Sequence, residues 1–109
     1  MPQTPLIFYR DDDSSVPVLD WLGALPAKAR DKCRVRLERL HECGHELRVR
    51  LGTVNYRMLY FFHDRIAAVV SHGLVKEDTV PAREIYLARQ RQTKFNANPR
   101  QHTAGTADL

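Results

Sequence analysis

The sequence predicts an α+β fold in which a helical hairpin and a C-terminal helix pack on a small twisted antiparallel sheet. Three observations predict it. Two helix-forming stretches fill residues 16–43 and are separated by a break at Leu25-Pro26. Past them the apolar period falls from about 3.6 residues to about 2 in ELRVRL, and two further strand-like runs follow with short connections. Beyond Pro81 the helical period returns.

LIFYR (6–10) reads as a short strand, and DDDSS (11–15) as an acidic turn in which Asp13, Ser14 or Ser15 is expected to cap the next helix. That helix, VPVLDWLGAL (16–25), has Pro17 in its first turn and an apolar stripe through Val18, Leu19, Trp21, Leu22 and Leu25, with Trp21 as a core anchor. The next, 26–43, carries Ala29, Cys33, Leu37 and Leu40 at helical spacing. Its other face holds Lys28, Arg30, Lys32, Arg34, Arg36 and Arg39; such a face is a solvated surface or a seat for RNA or an acidic partner. So short a break makes the two helices an antiparallel hairpin.

ELRVRL (46–51) alternates, with Leu47, Val49 and Leu51 on one side and Glu46, Arg48 and Arg50 on the other. VNYRMLYFF (54–62) and IAAVVSHGLVK (66–76) follow across short turns, an antiparallel meander. The last helix, 81–95, should turn Ile85, Ala88 and Phe95 inward. Residues 1–96 form one domain, and the tail 97–109 has little to bury and should be loose. With all helices on one side of the sheet, the other face is expected to be concave and polar.

The formal charge is +4, from 17 Lys+Arg against 13 Asp+Glu, which suits a nucleic-acid or acidic-protein partner. Arginine greatly outnumbers lysine. Either phosphate recognition or a coding sequence rich in G and C produces that bias. Cys33 and Cys43 stand about 15 Å apart along one helix, too far for a disulfide, and read as buried thiols in a reducing compartment. Neither an apolar signal segment nor a membrane span is evident, so a cytoplasmic protein is expected.

HECGH (41–45) matches the H-E-x-x-H zinc-protease pattern, in which His41 and His45 would share a metal and Glu42 would act as general base. Gly44 interrupts the helix this chemistry needs, and ELRVRL begins at once. The expectation is a helix end carrying polar side chains, with no metal bound.

Arg48 and Arg50 share a strand face, Arg57 lies across the hairpin, and Lys76 ends the third strand. Clustered cations repel unless an anion joins them, so these residues mark an anion site or a set of arginines paired with Glu46, Asp64 or Glu84. Arg57 is expected to face solvent.

LRVRLGTVNYRMLYFF, then VVSHGLVK, then P-x-x-EI-x-x-A resemble the RelE/HigB superfamily of bacterial toxin–antitoxin toxins, in particular its phage-derived HigB-like branch. LDWLGALPAKARDKCRVRLERLHECG resembles that family's helical hairpin, so the likeness covers roughly residues 6–95. The resemblance implies a RelE/ParE-like fold and a ribosome-dependent mRNA endonuclease that inhibits translation. Such an enzyme needs no cofactor and is neutralised by an antitoxin of the DNA-binding helix-turn-helix type. It implies phosphate contacts from Arg48 and Arg50, a phosphate clamp at Arg57, a further cation at Lys76, a catalytic tyrosine at Tyr86, and His72 as an acid–base or packing residue. It also implies a segment of about fifteen residues between hairpin and arginine strand, where this chain runs directly through CGHELRVR. Two further readings compete: a ParE-like gyrase inhibitor, which would need few charged groups on this face, and a shortened toxin that only binds its antitoxin.

Overall fold

The computed structural model describes residues 6–38, 46–63, 67–75 and 80–105. The elements run β1 (Leu6–Tyr9), α1 (Pro17–Ala24), α2 (Ala27–Glu38), β2 (Glu46–Leu51), β3 (Val54–His63), β4 (Ala67–Val75), α3 (Ala82–Ala97) and β5 (Thr103–Ala104). The α+β class is as expected. The strands form one sheet in the order β2-β3-β4-β1-β5. The meander β2-β3-β4 is antiparallel, but β1 pairs with β4 in parallel, so the sheet is mixed. The chain leaves β1, crosses one face as α1 and α2, and returns through the meander, which brings β4 beside β1 in the same direction.

Local chemistry explains the boundaries. Val16, not Asp13, Ser14 or Ser15, is the N-cap of α1, and it makes no side-chain capping bond. The Asp13 carboxylate instead accepts from the Ser15 amide at 2.9 Å and closes the acidic turn, where Ser14 adopts φ 72°. Leu25 is extended before Pro26, as a residue preceding proline must be, and that separates α1 from α2. Gly52, at φ 63°, turns β2 into β3.

The main core lies between the sheet and the helical hairpin. Leu47, Val49, Tyr56, Met58, Tyr60, Ala68, Val70 and Phe8 meet Val18 and Leu22 of α1 and Ala29, Cys33 and Leu37 of α2. Trp21 packs at its border and meets Tyr56 edge-on at 6.3 Å. A Cβ at residue 73 would overlap the Trp21 ring, so Gly73 is required where α1 crosses β4. Burial pushes the Cys33 thiol up to about 11, which makes it an inert core group. Cys43 lies outside the described residues.

The helices are not all on one side. Phe95 of α3 packs with Tyr9, Phe61 and Val69 on the opposite sheet face. Helix α3 rests on that face along Glu84, Leu87, Ala88, Arg91 and Phe95. Ile85, expected inward, stands off this line and is 42% exposed. Helix α3 therefore covers this face chiefly over β3 and β4, and the exposed Arg48 and Arg50 mark the β2 edge as open.

Residues 98–105, expected to be loose, turn back onto the sheet, where β5 pairs antiparallel with β1. His102 is buried and stacks on Tyr9 with ring centres 5.2 Å apart and planes 4° from parallel. Its Nδ1 donates to the Arg10 carbonyl at 2.9 Å. The Arg10 side chain donates to the Gln101 carbonyl at 3.0 Å, and Lys94 pairs with Asp12 at 2.8 Å. No helix among the described residues is long and apolar enough to cross a membrane.

Candidate functional site

Strand alternation and hairpin register build the site on the α3 side of the sheet. Glu46, Arg48 and Arg50 share that side of β2, and Arg48 stands directly opposite Arg57 in the register. Two like charges opposite each other are unfavourable. Glu46 resolves the conflict: its Oε1 accepts from Arg48 Nε at 2.9 Å and from Arg57 Nη1 at 2.8 Å. The matching carboxylate is thus part of the site. Arg57, expected to face solvent, is only 7% exposed, and its buried Nε has no hydrogen-bond partner among the described residues. A cation so placed is an oriented fork, fixed by its carboxylate and by the strands around it.

Arg50 shares the face but turns toward the hairpin, where its Nε donates to the Gly52 carbonyl at 3.1 Å. Its own carbonyl accepts from Lys32 Nζ at 2.6 Å, which ties α2 to the β2 edge.

A β-bulge supplies the next member. Leu59 pairs with His72 and Tyr60 with Val70, so Ser71 has no residue opposite it. The extra residue shifts the alternation and turns His72 to the side of Arg57 and Leu59. There His72 Nε2 lies 2.7 Å from Glu84 Oε2, and Nδ1 lies 2.7 Å from Ser71 Oγ. Arg91 donates in turn to Ser71 Oγ at 3.3 Å. With Glu84 ionised, one proton arrangement satisfies every member: Arg91 donates to Ser71, Ser71 to Nδ1, and Nε2–H to Glu84. His72 is neutral in it. Burial lowers its pKa from the ordinary value, against the hydrogen bond to Glu84, which raises it. The trio Ser71–His72–Glu84 superficially matches a hydrolase triad, but Ser71 is 0% exposed, so no substrate reaches its hydroxyl.

Tyr86 does not join these residues. It lies on the outer side of α3, 64% exposed, roughly half a helical turn from the Glu84–Ala88 line that meets the sheet. Lys76 and the HECGH histidines His41 and His45 lie outside the described residues, as do Asp64 and Glu77. Among the described residues, no group of His, Cys, Asp and Glu is placed to hold a metal ion.

Beside the arginine pair, β3 and α3 enclose a cleft of about 280 Å³. Leu59 and Phe61 form its floor, Ile85 and Ala88 its wall, Arg89 and Gln92 part of its rim, and Glu46 its border with the arginines.

Of the carboxylates expected as arginine partners, Glu46 does pair with Arg48 and Arg57, while Glu84 binds His72 instead. Glu46 is two residues from Arg48 on a strand and so shares its face, a relation readable from spacing. Glu84 reaches His72 only through the bulge and the docking of α3, which spacing does not reveal.

No match was found among curated proteins. Residues 20–93, which run from α1 through every strand of the site into α3, match the phage-derived protein Gp49-like family. The chain belongs to that Gp49-like family.

Proposed function

We propose that the protein is the toxin of a toxin–antitoxin pair and acts as a metal-independent endoribonuclease that cleaves mRNA on the ribosome. The Gp49-like family is associated with such toxins. The observation that carries the nuclease reading is the Arg48–Glu46–Arg57 cluster: two guanidinium groups on one carboxylate oxygen, on a sheet face open at its edge.

RNA carries its own nucleophile. When the 2′-hydroxyl attacks the adjacent phosphorus, its proton must leave, negative charge grows on the phosphoryl oxygens, and the 5′-oxygen departs with a proton. The product is a 2′,3′-cyclic phosphate. Glu46 is the base in this scheme, a carboxylate already held beside the phosphate-binding groups. Arg57 and Arg48 offset the growing charge, the buried Arg57 as a preset donor and Arg48 as a solvent-accessible one. His72 is buried with both ring nitrogens bonded to Ser71 and Glu84, so it serves here as a packing residue, and water supplies the proton to the leaving oxygen. Tyr86 has no role in the scheme. The partners are the ribosome with its message and an antitoxin, in the cytoplasm.

A translation reaction with labelled message tests this. The expected result is cleavage within the reading frame only when ribosomes are present, with the cyclic phosphate on the 5′ fragment. Gyrase inhibition without cleavage would support the ParE-like reading instead, and binding of an antitoxin with neither activity would leave a remnant toxin. Elemental analysis of protein purified without added metal is expected to find no stoichiometric zinc. Zinc that disappears on His41→Ala would reinstate the HECGH motif.

A further inference from the structure

We infer that the cleft between β3 and α3 is a nucleobase-binding site, which seats the base of the nucleotide whose phosphate lies on Arg48 and Arg57. The inference rests on the nuclease reading above and extends it to how the substrate is held.

The order of groups carries it. A nucleotide presents, in sequence, a flat base, a ribose with its 2′-hydroxyl, and a phosphate. The protein presents, in sequence, an apolar cleft, the Glu46 carboxylate and an arginine pair. Glu46 belongs to both ends, since it borders the cleft and its Oε1 holds Arg48 and Arg57. A base in the cleft and a phosphate on the arginines put the ribose between them, beside the carboxylate that takes the 2′-proton.

The lining suits a base. Leu59 and Phe61 are buried core residues that offer an apolar surface to one side of a ring, and Ile85 and Ala88 face it from the helix. Ile85, 42% exposed, presents its side chain to the cleft, where a base would cover it. At the rim, the Arg89 and Gln92 side chains make no hydrogen bond to another described residue, and these are the side-chain types that pair with base edges. Arg48, Arg57 and Arg89 against Glu46 leave the site cationic, as a polyanion needs.

The test uses a short fluorescent RNA made uncleavable by 2′-deoxy sugars and a matched series with one abasic sugar at each position in turn. Anisotropy gives the affinities. At one position, loss of the base is expected to weaken binding at least about fivefold, the low end for one buried base. Ala88→Phe, which fills the cleft, should reduce the intact oligomer to the affinity of that abasic one, with a melting curve to establish that the variant is folded. Gln92→Ala, at the rim, is the second variant and should change the ranking of the four bases at that position. If every abasic oligomer binds like the intact one, the cleft is not a base site, while cleavage on ribosomes would leave the nuclease reading intact. If there is neither binding nor cleavage, both fall.

Discussion

Glu46 reaches Arg57 diagonally across the β2–β3 hairpin, joined at 2.8 Å, with the arginine almost wholly buried and the carboxylate partly open. This pair is structure and candidate chemistry at once. Removing the carboxylate leaves a buried guanidinium short of a partner, and removing the guanidinium leaves a carboxylate beside the exposed Arg48. Arg57→Ala should therefore destabilise the fold by about 3 kcal/mol, the low end for breaking a buried ion pair. Glu46→Gln should cost less, because the amide oxygen still accepts. Urea unfolding of the two variants and of the double variant checks this. Additive losses would mean that the two side chains do not interact.

Deleting residues 98–109 should also cost stability. The segment brings His102 onto Tyr9 and pairs β5 with β1. Without it, the ring face of Tyr9 meets water and β1 becomes an edge. The aromatic stack alone is worth about 0.5–1.5 kcal/mol, and a truncated chain that melts with the parent would show that the segment is not docked.

The contrast between this tail and the strands shows what the sequence could reveal. ELRVRL alternates cleanly, and the short GTVN turn after it sets Arg57 of the next strand across the hairpin, so the nearness of Arg48 and Arg57 was legible. The tail's apolar residues are few and without period, and its docking ring, His102, finds its partner Tyr9 at the far end of the chain. Arg57 reads as a surface residue because arginine usually is one, and its burial depends on Glu46 supplying the opposite charge. The position of His72 was hidden by a single extra residue: uninterrupted alternation puts it with Val70, and the bulge at Ser71 reverses that. Tyr86 was placed by resemblance, and the line along which α3 meets the sheet decides its direction.

His72 should make stability depend on pH. Its folded pKa lies below the ordinary 6.5, chiefly through burial. The groups around it are Glu84, which favours its charged form, and Arg91, which opposes it, with Ser71 bonded to Nδ1. Below pH 6.5 the unfolded chain takes up a proton that the folded chain refuses. The stabilisation is thus complete above 6.5, declines as pH falls below it, and stops declining below the folded pKa. Unfolding at pH 7.5 and 5.5 should show a loss in the parent that is smaller in His72→Asn. An equal loss in both would remove His72 as the source.

The cleavage roles separate in one kinetic series on saturating ribosomes. Arg57→Ala is a poor probe, because lost rate and lost fold would coincide. Arg57→Lys keeps a cation in the pair but loses the planar fork, and it should slow single-turnover cleavage by about 10²–10³, the usual loss for one transition-state donor. Glu46→Gln should slow it as well, since the amide cannot accept the proton. Arg48 is exposed, so Arg48→Ala should act mainly on binding: in a ribosome titration it should raise the half-saturating concentration more than it slows the saturated rate, and reduce the salt slope by about one. Tyr86→Phe should cleave at the parent rate, because Tyr86 is exposed on the side of α3 away from the sheet. A folded Arg57→Lys that cuts as fast as the parent would remove the arginine pair from the chemistry, and a dead Tyr86→Phe would mean that α3 presents its outer face to the message.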